Sequence, residues 1–349
     1  MNRVMLASGG SGGHLAPAIA ISRVLSSRNI QNRILTTEKQ VDQVMRNAHA
    51  DCEFDGIPAV AFVGLKGLSV AFFENWLVAL CKTIWAMHQF QPKKVLATGG
   101  FGSIPSVVVG ALFGKQVYIH ESNSVSGRVT RWLGRLCQNV FVTRLLMHDE
   151  SRPNYYLTGF PLRNLEYEGR KEATSAGAKT VLVLGGSQGA TALNNWLSEL
   201  KFADYEGIKF YGICGPLNQI PKASSVDVEW IRFVEDMSSL YRKTDVVIAR
   251  SGAGTIAELA HCRCPAILVP LPTSADDHQF ENAKSFEQAG CSTTVEQNNL
   301  VRLEETLRDL LNSEHRREMM KCAQQEWDKG NKIDNLLKLF SEGLKECQV

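Results

Sequence analysis

Three glycine-rich turns, Ser8-Gly9-Gly10-Ser11-Gly12-Gly13-His14, Gly185-Gly186-Ser187-Gln188-Gly189 and Arg250-Ser251-Gly252-Ala253-Gly254-Thr255, each follow an apolar β-like run and open a helix-like one. That chemistry suits phosphate. Glycine lets the backbone approach an anion with no Cβ in between, and the amides at a helix start carry a partial positive charge. Side chains fit for proton transfer and polar recognition stand beside these turns. His14 ends the first, His120-Glu121-Ser122-Asn123 follows the run Val117 to Ile119, and Glu258 lies one helical turn beyond the third. Singly, each is equally at home as a cap or a surface group; together, at strand ends, they point to a site.

The elements that must position them are legible as alternation. Short β-branched runs occur at Val4 to Ala7, Val95 to Thr98, Val117 to His120, Val140 to Thr143, Val181 to Leu184, Phe210 to Cys214, Val246 to Ala249 and Ala266 to Pro270. Helix-length amphipathic stretches separate them, which predicts an α/β protein with parallel sheets and crossover helices. Ligands of such sheets bind beyond the carboxyl ends of the strands. The two series part at Leu157-Thr158-Gly159-Phe160-Pro161-Leu162-Arg163 and the polar stretch Glu166 to Lys179, where the hinge is expected. This gives an N-terminal domain over 1–160 and a C-terminal domain over 161–332, with a last helix at about 333–349 packing back on the first. Phosphate-type turns in both halves predict two nucleotide-type domains facing each other across a cleft.

Composition narrows the classes. At 349 residues, 44% hydrophobic and 21% charged, the chain suits two soluble domains with cores of their own. Met1-Asn2-Arg3-Val4-Met5-Leu6 runs straight into a strand, so no signal peptide is expected and the chain should stay in the cytoplasm. The nine cysteines include no C-x-x-C pair, which favours free buried thiols over a metal or disulfide framework. The net charge of +2 conceals an asymmetry: residues 1–165 hold 17 Lys and Arg against 9 Asp and Glu, residues 166–349 hold 21 against 27. A basic first half suits an anionic surface or a phosphorylated substrate. No G-x-x-x-x-G-K-[ST] is present, since Gly110 to Lys115 is one residue short and lacks the final hydroxyl, and the first turn lacks G-x-G-x-x-G order. Kinase, P-loop ATPase and dehydrogenase chemistry are therefore disfavoured.

Six motifs occur in a telling order: Gly9-Gly10-Ser11-Gly12-Gly13-His14, Thr98-Gly99-Gly100-Phe101-Gly102-Ser103-Ile104-Pro105, His120-Glu121-Ser122-Asn123, Gly185-Gly186-Ser187-Gln188-Gly189-Ala190, Arg250 to Thr255 with Glu258, and Asp276-Asp277-His278-Gln279-Phe280-Glu281-Asn282-Ala283. In these the chain resembles, over nearly its whole length, the MurG family, the undecaprenyl-diphospho-muramoylpentapeptide N-acetylglucosaminyltransferases of glycosyltransferase family 28. The resemblance implies a GT-B fold, two Rossmann-like domains across a cleft, with acceptor on the first and UDP-N-acetylglucosamine on the second. The implied reaction is inverting transfer of N-acetylglucosamine to the 4-hydroxyl of the muramoyl sugar of lipid I, giving lipid II for peptidoglycan synthesis, and through it cell shape and division. It implies no tightly bound cofactor and no metal site in the protein, and leaves divalent-cation dependence open. Charge on the departing diphosphate would be stabilised by amide donors and helix starts, and a base would take the hydroxyl proton.

Carried over position by position, the resemblance puts Ser187 and Gln188 on the donor's phosphates and sugar, and Arg163 near the donor. Glu258 would hold the ribose hydroxyls, since two carboxylate oxygens accept well from a vicinal diol. Ser251, Gly252 and Thr255 belong to the same donor turn, while Gln279 and Asn282 would read the sugar hydroxyls, with His278 beside them in the donor set. Ser11, Gly12, Gly13, Asn123 and Glu121 fall on the acceptor and glycosyl side, where the first four also border the donor. His14 is the candidate base, with a carboxylate such as Glu121 as the alternative. The chain has Ser11 where Thr is common, Ser126 where many members have Pro or Ala, and His278 where some carry Gln. A GT-B enzyme with a diacylglycerol acceptor, a non-catalytic UDP-sugar-binding scaffold and a UDP-sugar isomerase are the competing readings.

A lipid acceptor requires contact with a bilayer without a span. Phe62, Val63, Leu65, Leu68, Phe72, Phe73, Trp76, Leu77, Leu80, Ile84 and Trp85 interleave with Lys66, Lys82, Lys93 and Lys94, a pattern suited to an anionic interface. Lys66, Phe72 and Phe73, in a loop-like stretch, are the candidate membrane contacts; Trp76, Leu77, Leu80, Ile84 and Met87 recur at helical spacing and are equally compatible with the core. The expected location is the cytoplasmic face of the bacterial inner membrane, with other cell-wall and division proteins as possible partners and no nucleic acid.

Overall fold

The computed structural model describes residues 3–10, 12–59, 70–143, 154–162, 179–186, 189–201, 204–215, 218–221, 227–234, 237–331 and 333–342. The chain divides into two units, Met1–Arg163 with Gly330–Val349, and Asn164–Lys329. In the first, β1 (Val4–Ala7), β2 (Asn32–Thr37), β3 (Phe54–Ile57), β4 (Lys94–Ala97), β5 (Gln116–Glu121), β6 (Asn139–Val142) and β7 (Tyr155–Leu157) form one sheet ordered β3-β2-β1-β4-β5-β6-β7. Every pairing is parallel, with Leu6 in register with Ile34 on one side and Leu96 on the other. Between successive strands run α1 (Gly12–Ser27), α2 (Gln40–Ala48), α3 (Val70–Phe90), α4 (Ile104–Leu112) and α5 (Arg128–Leu133).

The second unit repeats the plan. β8 (Lys179–Leu184), β9 (Ile208–Ile213), β10 (Val228–Ile231), β11 (Val246–Ala249), β12 (Ala266–Leu268) and β13 (Ser292–Thr294) pair in parallel in the order β10-β9-β8-β11-β12-β13. Its helices are α6 (Thr191–Glu199), α7 (Ser238–Lys243), α8 (Ala253–Cys262), α9 (His278–Gln288), α10 (Leu300–Asn312) and α11 (Glu314–Asp328). Period-two alternation feeds a core on each face: Met5 and Ala7 enter one, Val4 and Leu6 the other, and Val181 and Val183 likewise oppose Leu182 and Leu184. Each such fully buried aliphatic side chain stabilises by about 1.5–3 kcal/mol.

After Lys329 the chain re-enters the first unit. Leu336, Leu337 and Phe340 of α12 (Ile333–Glu342) are buried with Val4, Leu6 and Tyr118. Lys94 donates to the Phe340 carbonyl, its ammonium 4.7 Å from the Phe340 ring centre, and burial lowers its pKa. The return depends on Gly159, whose φ is +72° and where a Cβ would lie 2.0 Å from Gly330 O.

All eight apolar runs are strands, but β2, β3, β7, β10 and β13 carry no such run. Four of these five are the sheet edges. The described cysteines are free, as expected, yet Cys81 and Cys322 are exposed rather than buried, being on the outer faces of α3 and α11. A second correction concerns α3, which begins at Val70 and so takes Phe72 and Phe73 into its first turn rather than a loop. Trp76, Leu80 and Met87 pack on the core, whereas Leu77 and Ile84 are 64% and 41% exposed. Of the cations beside them, Lys82 is paired with Glu38 at 3.0 Å and Lys94 is committed to α12; Lys66 lies outside the described residues.

Candidate functional site

In both sheets the strand order reverses between the first and fourth strands of the unit, β1 and β4 in one and β8 and β11 in the other. Crevices at such switch points take the ligands of doubly wound folds. Every one of these four strands ends in a glycine-rich turn.

In the first unit the two turns touch. Gly9 and Gly10 have φ of +141° and +96°, Gly99 and Gly100 of +95° and +77°, conformations that L side chains rarely adopt. A Cβ at Gly99 would lie 2.9 Å from His14 Nδ1, and one at Gly100 would lie 2.1 Å from Gly9 O and 3.0 Å from His14 Cδ2. The His14 ring therefore rests on the Gly99-Gly100 backbone, and Thr98 Oγ1 donates to the His14 carbonyl at 2.8 Å. Asp42, fully buried, accepts from the Gly10 amide at 3.0 Å and from the Thr37 hydroxyl. No motif announces Asp42; it is missed because its partner is 32 residues away. Gly12 and Gly13 open α1, and Ser11 lies outside the described residues.

The segment after β5 is built around a carboxylate. Glu121 is 5% exposed, and its oxygens accept from Asn123 N and Asn123 Nδ2, both at 3.1 Å, from Gly127 N at 2.8 Å and from Thr130 Oγ1 at 2.6 Å. A carboxylate offers about four acceptor sites, and all are filled by its own loop. Glu121 thus anchors Asn123 and the start of α5 through these hydrogen bonds. Glu121→Gln should lower stability by about 2–4 kcal/mol, because an amide offers one acceptor oxygen to the four donors that surround this buried carboxyl; a thermal melt checks it, and an unchanged Tm with lost activity would favour a catalytic over a structural role. His120 is fully buried, with Nε2 3.1 Å from Gly159 O and Nδ1 3.3 Å from Ser122 Oγ. Burial lowers its pKa, so it serves as a neutral core imidazole.

In the second unit, Gly185 approaches Ala190 so closely that a Cβ would lie 2.1 Å from its amide nitrogen, and Gly189 has φ of +76°. Ser187 and Gln188, between them, lie outside the described residues, as does Arg163. Beyond β11, Ser251 and Gly252 lead into α8, which carries Thr255 and Glu258 in its first turns; no side chain caps its N-terminus. Ser251 Oγ donates to the Gln279 carbonyl at 2.7 Å, and Asn282 Nδ2 donates to Ser251 O at 3.2 Å. Gln279 Oε1 accepts from Leu271 N at 3.0 Å, and His278 Nδ1 lies 2.6 Å from Ala275 O. The fold thus gathers Ser251, Gln279 and Asn282 across 31 residues of chain. Asn282 is 2% exposed, so its amide supports the Ser251 turn from beneath.

Two further residues complete this end of the sheet. Arg250 is buried and donates to the carbonyls of Val269 and Pro270, at 3.0 and 3.1 Å, and to Gln297 Oε1. Its sequence signal was a charge directly after an apolar strand. Tyr241 donates to Glu258 Oε2 at 3.0 Å, and nothing in the sequence marked it.

Family models match both units: the glycosyltransferase family 28 N-terminal domain over residues 4–142 and the glycosyltransferase family 28 C-terminal domain over residues 180–337. The chain belongs to glycosyltransferase family 28. Within that family it is 33% identical over 307 residues, 84% of this chain and 83% of the relative, to a Shewanella frigidimarina protein named UDP-N-acetylglucosamine--N-acetylmuramyl-(pentapeptide) pyrophosphoryl-undecaprenol N-acetylglucosamine transferase. A Prochlorococcus marinus protein of the same name is 30% identical, with 100% of this chain and 96% of the relative covered. Among solved structures, Acinetobacter baumannii MurG superposes with a TM-score of 0.69 at 23% identity, covering 95% of this chain and 96% of that one. The kitacinnamycin glycosyltransferase reaches 0.75 at 15% identity, covering 99% of each. The fold is the GT-B glycosyltransferase fold of two parallel-sheet α/β domains.

Proposed function

We propose that this family 28 glycosyltransferase moves N-acetylglucosamine from UDP-N-acetylglucosamine to the 4-hydroxyl of the muramoyl sugar of lipid I, forming lipid II. The observation that carries this is the near full-length match to relatives named for that transfer. The geometry supports a division of roles. On the second unit, the uncapped start of α8 and the glycine turn after β8 offer amides to a diphosphate, and Glu258 accepts from the ribose hydroxyls. By resemblance, Ser187 and Gln188 are assigned to the donor's phosphates and sugar, Arg163 to the vicinity of the donor, and Gln279 and Asn282 to the sugar hydroxyls. On the first unit, Asn123 and the turn from Ser11 to His14 meet the acceptor. His14 takes the proton of the 4-hydroxyl as its oxygen bonds to C1; the bond from C1 to the diphosphate breaks, UDP leaves with its electron pair, and the anomeric centre inverts. Transfer of radiolabelled N-acetylglucosamine to a short-chain lipid I analogue tests the reading, with UDP-glucose and a diacylglycerol run alongside. Product only with the first pair supports it; product only with diacylglycerol moves the enzyme to glycolipid synthesis, and donor binding with no product favours a scaffold.

The acceptor lies in a membrane, and we assign α3 to it, at the cytoplasmic face. Among the described residues no helix is long and apolar enough to cross a bilayer. Phe73, Leu77 and Trp85 are 60%, 64% and 62% exposed on α3, and Leu112 and Phe113 at the end of α4 are also exposed. Several large apolar groups exposed together mark an interaction surface. Replacing Phe73, Leu77 and Trp85 together by serine should weaken sedimentation with phosphatidylglycerol vesicles by about 10²-fold, each anchor contributing about 1 kcal/mol or more on burial. Vesicle binding equal to wild type would remove α3 from the interface.

A further inference from the structure

Glu258 is held by a residue that no motif contains. Tyr241 of α7 is 2% exposed, and its hydroxyl makes its one hydrogen bond among the described residues to Glu258 Oε2, at 3.0 Å. A phenol buried this deeply requires an acceptor, and its hydrogen bond to one carboxylate oxygen narrows the three side-chain torsions of a glutamate on the second turn of a helix. Burial first, and then the Glu258 charge, push the Tyr241 pKa well above its ordinary value, so the proton stays on the phenol and the hydroxyl donates at any physiological pH. A donor on one oxygen also fixes the plane of the carboxylate.

We infer that Tyr241 is a positioning residue for nucleotide recognition: its hydroxyl holds the Glu258 carboxylate in the orientation that accepts from both hydroxyls of a ribose, which makes the site selective for ribo- over 2′-deoxyribonucleotides. This rests on the assignment of Glu258 to the donor ribose. The selectivity arises because two hydroxyls reward a carboxylate of fixed plane, whereas one hydroxyl is met almost as well by a mobile one.

Calorimetric titration with UDP and 2′-deoxy-UDP distinguishes the two levels of the argument. Wild type should prefer UDP. Tyr241→Phe should weaken UDP about tenfold, the loss of one charge-assisted hydrogen bond, and leave 2′-deoxy-UDP within about twofold. Its Tm should stay within about 4 °C of wild type. Glu258→Ala should abolish the preference, and Tyr241→Phe in that background should add nothing. Glu258→Asp, which keeps the charge but is too short to hold Tyr241 and ribose together, covers the case in which Tyr241→Phe does not fold, and should also lose the preference. Wild-type protein that does not distinguish the two nucleotides overturns the ribose assignment and Tyr241 with it. A preference undiminished in Tyr241→Phe or in Glu258→Asp, or an equal loss of both nucleotides in Tyr241→Phe, overturns only the role of Tyr241.

Discussion

His14→Ala should reduce turnover by about 10²–10⁴-fold, the range that a positioned general base supplies, while the dissociation constant for UDP stays at its wild-type value. The expectation follows from where the side chain sits. His14 lies at the start of α1 on the first unit, its ring resting on Gly99 and Gly100 and its carbonyl held by Thr98. Donor recognition is assigned to the second unit, so removal of the imidazole leaves that binding intact. Glu258→Ala should show the opposite division, with UDP binding weakened and the proton acceptor retained. Single-turnover rates and UDP titrations on the two variants are the measurement. An unchanged rate in His14→Ala would mean that another group takes the proton, with Glu121 the alternative carboxylate.

The second large effect is expected from one methyl group. Gly100→Ala puts a Cβ 2.1 Å from Gly9 O, on a residue whose φ is +77°. With ψ of 151° the backbone is in a region essentially confined to glycine, which alone costs about 1–3 kcal/mol, and the contact with a backbone oxygen cannot be relieved by turning a side chain. The two glycine turns must separate, and the His14 ring, 3.0 Å from the same Cβ, must move with them. A loss of about 3–5 kcal/mol, or roughly 10 °C in Tm, is expected, together with loss of transfer at temperatures where the variant is still folded. Gly114→Ala is the matched control. Gly114 has φ of +64° with nothing within 4 Å of its Cβ position, so it should cost only the conformational part and leave transfer unchanged. Equal effects in the two variants would show that turn contact is unimportant at Gly100.

These expectations draw unequally on sequence and structure. The eight strands read from apolar runs include all of β1, β4, β5, β6 in one sheet and β8, β9, β11, β12 in the other. Such strands are covered by helices on both faces, and this burial requires the continuous β-branched pattern that makes them visible. The four edge strands, β3, β7, β10 and β13, escaped because an edge has one neighbour and tolerates polar composition; β13 is Ser-Thr-Thr. β2 is central, but its Asn32, Thr36 and Thr37 break the run. The face of α3 was also undecided from sequence. Leu77 and Met87 are both apolar on one helix, and only the packing of α3 against the sheet put Met87 in the core and Leu77 outside.

The sequence by itself determined the family, the α/β class and the glycine turns, and singled out His14 and Glu258 as candidates, because these rest on short local patterns in which residue type and spacing carry the chemistry. Tertiary structure alone decided what those side chains lean on. Asp42 beneath Gly10, Tyr241 behind Glu258, Arg250 under the β12 turn and the Glu121 carboxylate closed within its own loop are all set by hydrogen bonds. Most of these reach partners 17 to 47 residues away along the chain. Such bonds leave no periodicity to read, since each depends on the direction of one side chain and on the exclusion of water from around it.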